Sequence, residues 1–203
     1  NYFDESQEED IFDYIPPQKT NQIFTPRTLV QKQLDILEQE TPGIFTNPNT
    51  TFADLYIKSG LYITEMVKRL FTGLAQQIPD ETTRLKHILE NQVYGFAPTK
   101  IIHDIATNFI FGELPANISR QNFRHHDLTK QFEKGEQLYM KFDVIIGNPP
   151  YQEEIKGRGD MPPIYHKFMD GAYKLSDKVC FITPARFLFN AGNTPKKWNE
   201  KML

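Results

Sequence analysis

Apolar positions along the chain switch between an extended and a helical spacing. Short runs of apolar and β-branched residues predict five strands, and apolar residues three and four positions apart predict the helices between them. The predicted strands are residues 50–57, 92–97, 122–127, 144–146 and 178–183, and the predicted helices begin at Pro26, Ile63, Pro79, near Ile101 and at Ile164. Because strands and helices alternate, the pattern predicts an α/β fold with a mostly parallel, doubly wound sheet.

The first predicted helix has a clear start signal. Thr25 is the expected N-cap, and Pro26 suits the first helical position, where a missing N–H is tolerated. The residues that follow a helical period are Leu29, Val30, Gln33, Leu34 and Leu37. The helix is expected to end before Pro42-Gly43.

Residues 142–151, Phe-Asp-Val-Ile-Ile-Gly-Asn-Pro-Pro-Tyr, join a buried-strand pattern to a rigid turn. The strand ends at Gly147, and the two prolines that follow have a fixed φ and no N–H to continue it. Open α/β sheets bind ligands at the carboxyl ends of such strands, and here the loop presents the amide of Asn148 beside the ring of Tyr151. An ordinary strand-end turn also uses Asn and Pro, but the preceding strand and the following ring favour a functional site.

A second turn of this kind follows the first predicted strand. Ser59 and Gly60 separate the strand at 50–57 from the helix that begins at Ile63. A strand, a tight turn and a helix N-terminus together present backbone N–H groups to an anionic or polar ligand.

These segments resemble the S-adenosylmethionine-dependent amino-methyltransferases, above all the adenine-N6 DNA methylases of restriction-modification systems. The loop at 148–151 is similar to their motif IV, Phe24-Thr25-Pro26 to motif X, and the turn at 54–60 to motif I. The resemblance spans nearly the whole chain from Phe24. It implies a Rossmann-like methyltransferase fold and transfer of a methyl group from S-adenosylmethionine to a flipped-out adenine of double-stranded DNA.

The resemblance also implies roles for particular residues. The Asn148 amide oxygen and the Pro149 carbonyl would accept the two N–H groups of adenine, and Tyr151 would stack on the flipped base. The methyl group would pass directly to nitrogen, without a metal or a covalent enzyme intermediate. The expected catalytic residues are Asn148, Pro149, Pro150 and Tyr151, and the expected cofactor-binding residues are Phe24, Thr25, Pro26, Asp54, Ser59, Gly60 and Asp127.

The chain departs from the family pattern in the expected cofactor site. Leu55 replaces the motif I proline, Lys58 replaces its first glycine, and Ala97 replaces the acid that holds the cofactor's ribose. The Lys58 side chain would either crowd the ligand or point outward. These departures leave open a non-catalytic DNA-binding or scaffold module with a decayed cofactor site. A methyltransferase acting on a protein glutamine or an RNA base also stays open, although motif X and the Thr-Pro-Ala-Arg segment at 183–186 speak against it.

Charge, cysteine content and hydropathy limit the partners and the cellular compartment that are expected for the chain. A net charge of −3 over 203 residues argues against a generally basic surface, although Lys156 and Arg158 are candidates for local phosphate contacts. The single cysteine, Cys180, cannot form an internal disulfide and fits a reducing cytoplasm. No apolar stretch is long enough to span a membrane. The adjacent His125 and His126 would face opposite sides of a strand, so no metal site is expected.

The domain organisation is expected to be partial. Residues 1–20 are acidic and contain Pro16-Pro17, which predicts an arm or linker before a methyltransferase core at 21–203. The order motif X, motif I, motif IV is that of methylases with a C-terminal target-recognition domain. We therefore expect a core truncated after the fifth strand, with that domain absent and further domains of a larger restriction-modification protein as partners. An endonuclease outside this chain is compatible with that order.

Overall fold

The structure, a computed structural model, describes Phe3 and residues 25–136, 138–152, 162–191 and 193–202 of the chain. The predicted acidic arm, apart from Phe3, and the candidates Phe24, Lys156 and Arg158 lie outside the described residues. The α-helices in this part are α1 (Arg27–Glu40), α2 (Leu61–Gly73), α3 (Glu81–His87), α4 (Lys100–Phe111), α5 (Thr129–Lys134), α6 (Tyr165–Leu175) and α7 (Lys196–Met202). A π-helical turn (Ile88–Gln92) and a 3-10 helix (Ala185–Phe189) accompany them.

The strands form one parallel sheet with the order β3-β2-β1-β4-β5. They are β1 (Phe52–Asp54), β2 (Val93–Ala97), β3 (Phe123–His125), β4 (Val144–Gly147) and β5 (Val179–Phe181). The predicted α/β fold with a parallel sheet is confirmed. The chain runs outward from β1 through β2 to β3 and then crosses to β4 on the other side of β1. The carboxyl ends of β1 and β4 therefore lie side by side at the point where the strand order reverses, which is where such sheets bind ligands.

Alternate residues of the central strands face two separate cores. Phe52, Val144 and Ile146 are buried in the core that also holds the apolar faces of α1, α2 and α4. Ala53 and Ile145 are buried on the opposite face, in the core beneath α5 and α6. Because successive strand residues point to opposite faces, helices cover the sheet on both sides, as in a Rossmann-like methyltransferase.

Two predicted boundaries were wrong because side chains close the backbone into turns. The first strand ends at Asp54 rather than at residue 57, since the Asp54 carboxylate accepts a hydrogen bond from the Tyr56 N–H at 3.0 Å. The third strand ends at His125, and the Asp127 carboxylate accepts a hydrogen bond from the Thr129 N–H at 3.0 Å where α5 begins. Aspartate commonly makes such turns with the backbone two residues on.

The predicted N-cap of the first helix was also wrong. Helix α1 begins at Arg27, its cap position is held by Pro26, and no side chain caps it. The Thr25 hydroxyl instead accepts a hydrogen bond from Asn148. The Thr25 hydroxyl therefore bonds a side chain that is distant in the sequence instead of capping its own helix.

None of the helices in the described part of the chain is both long enough and apolar enough to cross a bilayer.

Candidate active site

A cleft opens at the carboxyl ends of β1 and β4, between the turn before α2 and the loop after β4. Its walls are formed by Thr25, Asp54, Tyr56, Lys58, Ser59, Gly60, Leu61, Tyr62 and Asn148. Five of these residues were expected site residues from the sequence, namely Thr25, Asp54, Ser59, Gly60 and Asn148. Segments far apart in the chain therefore meet at the predicted edge of the sheet.

Asp54 ends β1 and is 3% exposed. Burial raises its pKa from the ordinary 3.8 to about 7, although the hydrogen bond from Tyr56 and the nearby Lys58 cation oppose the rise. The neighbouring strand leaves room for the carboxylate because it carries Gly147 there. A Cβ at that position would lie 3.0 Å from the Asp54 Oδ1.

The turn before α2 depends on a glycine. Gly60 has a φ of 89°, a left-handed conformation that other residues adopt only with strain. The Ser59 hydroxyl accepts a hydrogen bond from the Leu61 N–H at 3.2 Å, and the first intrahelical bond runs from the Thr64 N–H to the Gly60 carbonyl at 3.0 Å. The positive end of the α2 dipole thus borders the cleft.

Lys58 points into the cleft rather than outward. Its Nζ lies 6.0 Å from the centre of the Tyr151 ring, so the side chain reaches from the turn towards the loop after β4. Burial lowers its pKa to about 8, and the charge of Asp54 opposes that fall. A cation and a carboxylate with pKa values near neutrality therefore share the cleft.

Asn148 follows β4 directly and is 4% exposed. Its Nδ2 donates a hydrogen bond to the Thr25 hydroxyl at 3.0 Å. Its Oδ1 is buried and has no hydrogen-bond partner among the described residues. Buried polar atoms are almost always paired, so an open acceptor in a cleft wall is suited to a donor supplied by a ligand.

The loop after β4 is fixed at both ends. The Gly147 carbonyl accepts a hydrogen bond from the Ile182 N–H at 3.2 Å, and the Tyr151 carbonyl accepts one from the Ile164 N–H at 3.0 Å. Pro149 is buried and Pro150 is partly buried between them. Tyr151 packs against a cluster formed by Tyr165, Met169, Phe187 and Trp198. Burial raises the pKa of Tyr151, with a hydrogen bond from Asn148 opposing the rise.

Two of the expected cofactor-binding residues in the described part of the chain are not in the cleft wall. Pro26 occupies the cap position of α1, and the Asp127 carboxylate is engaged with the backbone at the start of α5. Phe24 lies outside the described residues. Ala97 ends β2 and is 1% exposed, and Asp104 pairs with Lys100 on the surface of α4. Neither Asp104 nor Asp127 therefore replaces the ribose-binding acid that Ala97 lacks.

Tyr56, Leu61 and Tyr62 also line the cleft, and the sequence did not predict them as site residues. The signal for Leu61 and Tyr62 was their place directly after Gly60, because the first turn of a helix after such a glycine lies at the ligand edge of the sheet. Within the described part of the chain, no three His, Cys, Asp or Glu side chains come together as a metal site would require.

Comparison with known proteins identifies the family of the chain. The profile of a family described as Eco57I restriction-modification methylase matches residues 66–203, which include the loop after β4. A Mycoplasma pneumoniae (strain ATCC 29342 / M129 / Subtype 1) protein named as an uncharacterized adenine-specific methylase is 25% identical over 265 residues, covering 98% of this chain. The chain spans 63% of the length of that relative. Since the family profile covers more than half of the sequence, the chain belongs to the Eco57I restriction-modification methylase family.

Proposed function

We propose that this chain forms the catalytic core of a site-specific DNA adenine-N6 methyltransferase that uses S-adenosylmethionine within a restriction-modification system. The observation that carries the proposal is the buried, unpaired Oδ1 of Asn148 in the same cleft as Asp54 and the N-terminus of α2. Membership of a methylase family and the relative named as an adenine-specific methylase support it.

The cleft residues fit S-adenosylmethionine. Asp54 is a buried carboxylate at the end of β1, and it suits a cationic or hydrogen-bond-donating ligand. The turn at Ser59-Gly60 presents the N-terminal end of α2, which suits a carboxylate or hydroxyl oxygen. When bound, S-adenosylmethionine supplies an electrophilic methyl group on a sulfonium. The residues assigned to it are Thr25, Asp54, Ser59 and Gly60, which line the cleft, with Phe24, Pro26 and Asp127 as further candidates.

The catalytic contribution of the loop is orientation. The adenine amino group is a weak nucleophile because its lone pair is delocalised into the ring. Asn148 Oδ1 and the Pro149 carbonyl accept its two N–H groups, which draws the nitrogen towards a tetrahedral geometry with its lone pair aimed at the methyl group. Pro149 and Pro150 hold these acceptors rigidly, so little reorganisation is needed during transfer.

The target adenine is proposed to leave the duplex before reaction. An amino group inside the helix cannot approach a buried acceptor such as Asn148, so the base must flip out. Tyr151 is half-buried against an aromatic cluster and would stack on the flipped base, recovering part of the lost stacking energy. Double-stranded DNA is thus the proposed partner, and further domains of a restriction-modification protein would read its sequence. The proposed setting is the cytoplasm.

A non-catalytic DNA-binding module is the second candidate, because Lys58 enters the cleft and Ala97 lacks the ribose-binding carboxylate. Calorimetric titration of the intact protein with S-adenosylmethionine separates the two. We expect micromolar binding that Asp54→Ala abolishes and that the exposed control Asp177→Ala leaves unchanged. Absence of binding, with or without DNA, would contradict the enzyme and favour the module.

A further inference from the structure

A line of polar side chains leads from Asn148 through the wall of the cleft to the backbone of β5. Gln33 of α1 is 5% exposed, and its Nε2 donates a hydrogen bond to the Cys180 carbonyl at 3.2 Å. Its Oε1 accepts a hydrogen bond from the Tyr62 hydroxyl at 2.6 Å. Beyond Tyr62 lie Thr25 and then Asn148, whose Nδ2 donates to the Thr25 hydroxyl at 3.0 Å.

Thr25 connects the two halves of this line. Burial raises the pKa of Tyr62, and a hydrogen bond with the Thr25 side chain opposes that rise. The Tyr62 hydroxyl already donates its single hydrogen to the Gln33 Oε1, so in a hydrogen bond between the two hydroxyls Thr25 is the donor. The Thr25 oxygen is then left to accept from Asn148, in agreement with the direction of the 3.0 Å bond.

The Cys180 carbonyl, at the end of the line opposite to Asn148, fixes the direction of each hydrogen bond in it. A backbone carbonyl can only accept, so the Cys180 carbonyl fixes the Gln33 amide with its nitrogen towards β5 and its oxygen towards Tyr62. The Tyr62 hydroxyl must then donate to Gln33 and accept from Thr25. The Thr25 hydroxyl must in turn accept from the Asn148 nitrogen. This order leaves the Asn148 oxygen as the unpaired atom.

The helix that carries Gln33 is itself anchored. Glu65 of α2 is 5% exposed, and its carboxylate accepts hydrogen bonds from Arg27, Gln31 and Lys68, each at 3.0 Å. Arg27 and Gln31 belong to the first turns of α1, directly after Thr25. The ion pairs therefore hold Thr25 in place beside the loop after β4.

We infer that Gln33, Tyr62 and Thr25 are positioning residues that set the orientation of the Asn148 amide for methyl transfer. The inference rests on the proposed function, since it concerns the acceptor used for the adenine amino group. An amide turned by 180° would present N–H groups to the adenine N–H groups, so donor would face donor and the acceptor would be lost. Gln33 acts from outside the cleft wall, and its effect would pass only through its neighbours.

The first test does not depend on activity. The side-chain amide resonances of Asn148, assigned by their loss in Asn148→Ala, are measured in the 15N-labelled, cofactor-free full chain. We expect Gln33→Met and Tyr62→Phe to shift these resonances or to split them into two forms. The control Gln39→Met makes the same change at an exposed position near the end of the same helix, and we expect it to leave the Asn148 resonances in place.

The second test separates positioning from cofactor binding. We expect Gln33→Met and Tyr62→Phe each to lower kcat for DNA methylation roughly tenfold, the size expected for one buried hydrogen bond. Gln33 does not line the cleft, so Gln33→Met should also leave the Kd for S-adenosylmethionine unchanged. The double variant should lose no more than either single variant, because both break the same line. Tyr62→Phe removes only one oxygen and stays informative if Gln33→Met does not fold.

The outcomes of the two tests distinguish a failure of this inference from a failure of the proposed function. Unchanged Asn148 resonances in both variants would overturn the inference, as would a weakened Kd for the cofactor with an unchanged kcat in Gln33→Met. If the unaltered protein transferred no methyl group, the proposed function would fail, and the resonance measurement would still decide whether the line of hydrogen bonds orients Asn148.

Discussion

The amide nitrogen of Asn148 donates a hydrogen bond to the Thr25 hydroxyl at 3.0 Å, across 123 positions of sequence. The bond joins the segment before α1 to the loop after β4 and leaves the Asn148 oxygen buried and unpaired. The two parts of the chain that resemble motif X and motif IV are thus parts of one site. Much of the proposed chemistry depends on that single amide.

Replacement of Asn148 should remove catalysis and spare cofactor binding. We expect Asn148→Ala to lower kcat by about 10²–10³-fold, the usual cost of removing one preorganised polar group at a reacting centre. The Kd for S-adenosylmethionine should change little. Single-turnover methylation with radiolabelled cofactor measures the rate, and the exposed Asn91→Ala is the matched control. An equal loss in both variants would contradict the assignment.

Asp54 should make stability depend on pH. Its folded pKa of about 7 lies above the ordinary 3.8, so its contribution is fully present below pH 3.8 and is lost as the pH rises through 7. By the free energy of one pKa unit, the loss amounts to at most about 4 kcal/mol. Urea denaturation at pH 5 and pH 7.5 measures the part of this loss that falls between those two pH values. Asp54→Asn keeps an acceptor for the Tyr56 N–H and should reduce the difference in the free energy of unfolding between the two pH values. If the variant shows the same difference as the unaltered protein, Asp54 is not the cause of the pH dependence.

Lys58 should tune the ionisation of Asp54. Its positive charge lowers the pKa of Asp54, so Lys58→Met should move that pKa further up. If a cationic ligand binds ionised Asp54, the pH at which S-adenosylmethionine affinity reaches half its maximum should rise in the variant. Calorimetry between pH 6 and pH 8.5 gives this midpoint, with the exposed Lys86→Met as control. A midpoint that stays where it is would mean that the two groups are not coupled.

Tyr151 should contribute to DNA binding through its ring rather than its hydroxyl. Stacking of a base on an aromatic side chain is worth about 1–3 kcal/mol, so Tyr151→Ala should weaken productive DNA binding roughly 5- to 150-fold. Tyr151→Phe keeps the ring and should stay within a few-fold of the unaltered protein. The KM for unmethylated genomic DNA is the measurement. A Phe variant as poor as the Ala variant would assign the effect to the hydroxyl instead.

The sequence predicted those parts of the site whose backbone conformation is determined by neighbouring residues. The β-branched run Val144–Ile146, bounded by Gly147, is typical of a buried strand, and the prolines after Asn148 force a stiff loop at its end. The turn at Gly60 was predictable because few residues other than glycine adopt its φ. The order of strands and helices predicted the sheet, and hence the edge where these two turns meet.

Tertiary contacts decided what local patterns did not predict. Thr25 has every feature of an N-cap, yet its hydroxyl binds Asn148, which no local rule anticipates. Gln33 occupies a helical period among leucines, and its role depends on Tyr62 and on the backbone of a strand 147 positions away. The direction of Lys58 was equally open, because the sequence alone does not decide between a side chain that enters the cleft and one that points outward.

The most direct measurement is the identity of the methylated product. The intact protein is incubated with unmethylated genomic DNA and S-adenosylmethionine, and the digested nucleosides are analysed by mass spectrometry. The account predicts N6-methyldeoxyadenosine from the unaltered protein and almost none from Asn148→Ala, which should still bind the cofactor. Methyl groups on cytosine or on protein alone, or no product from a protein that binds both DNA and cofactor, would contradict it.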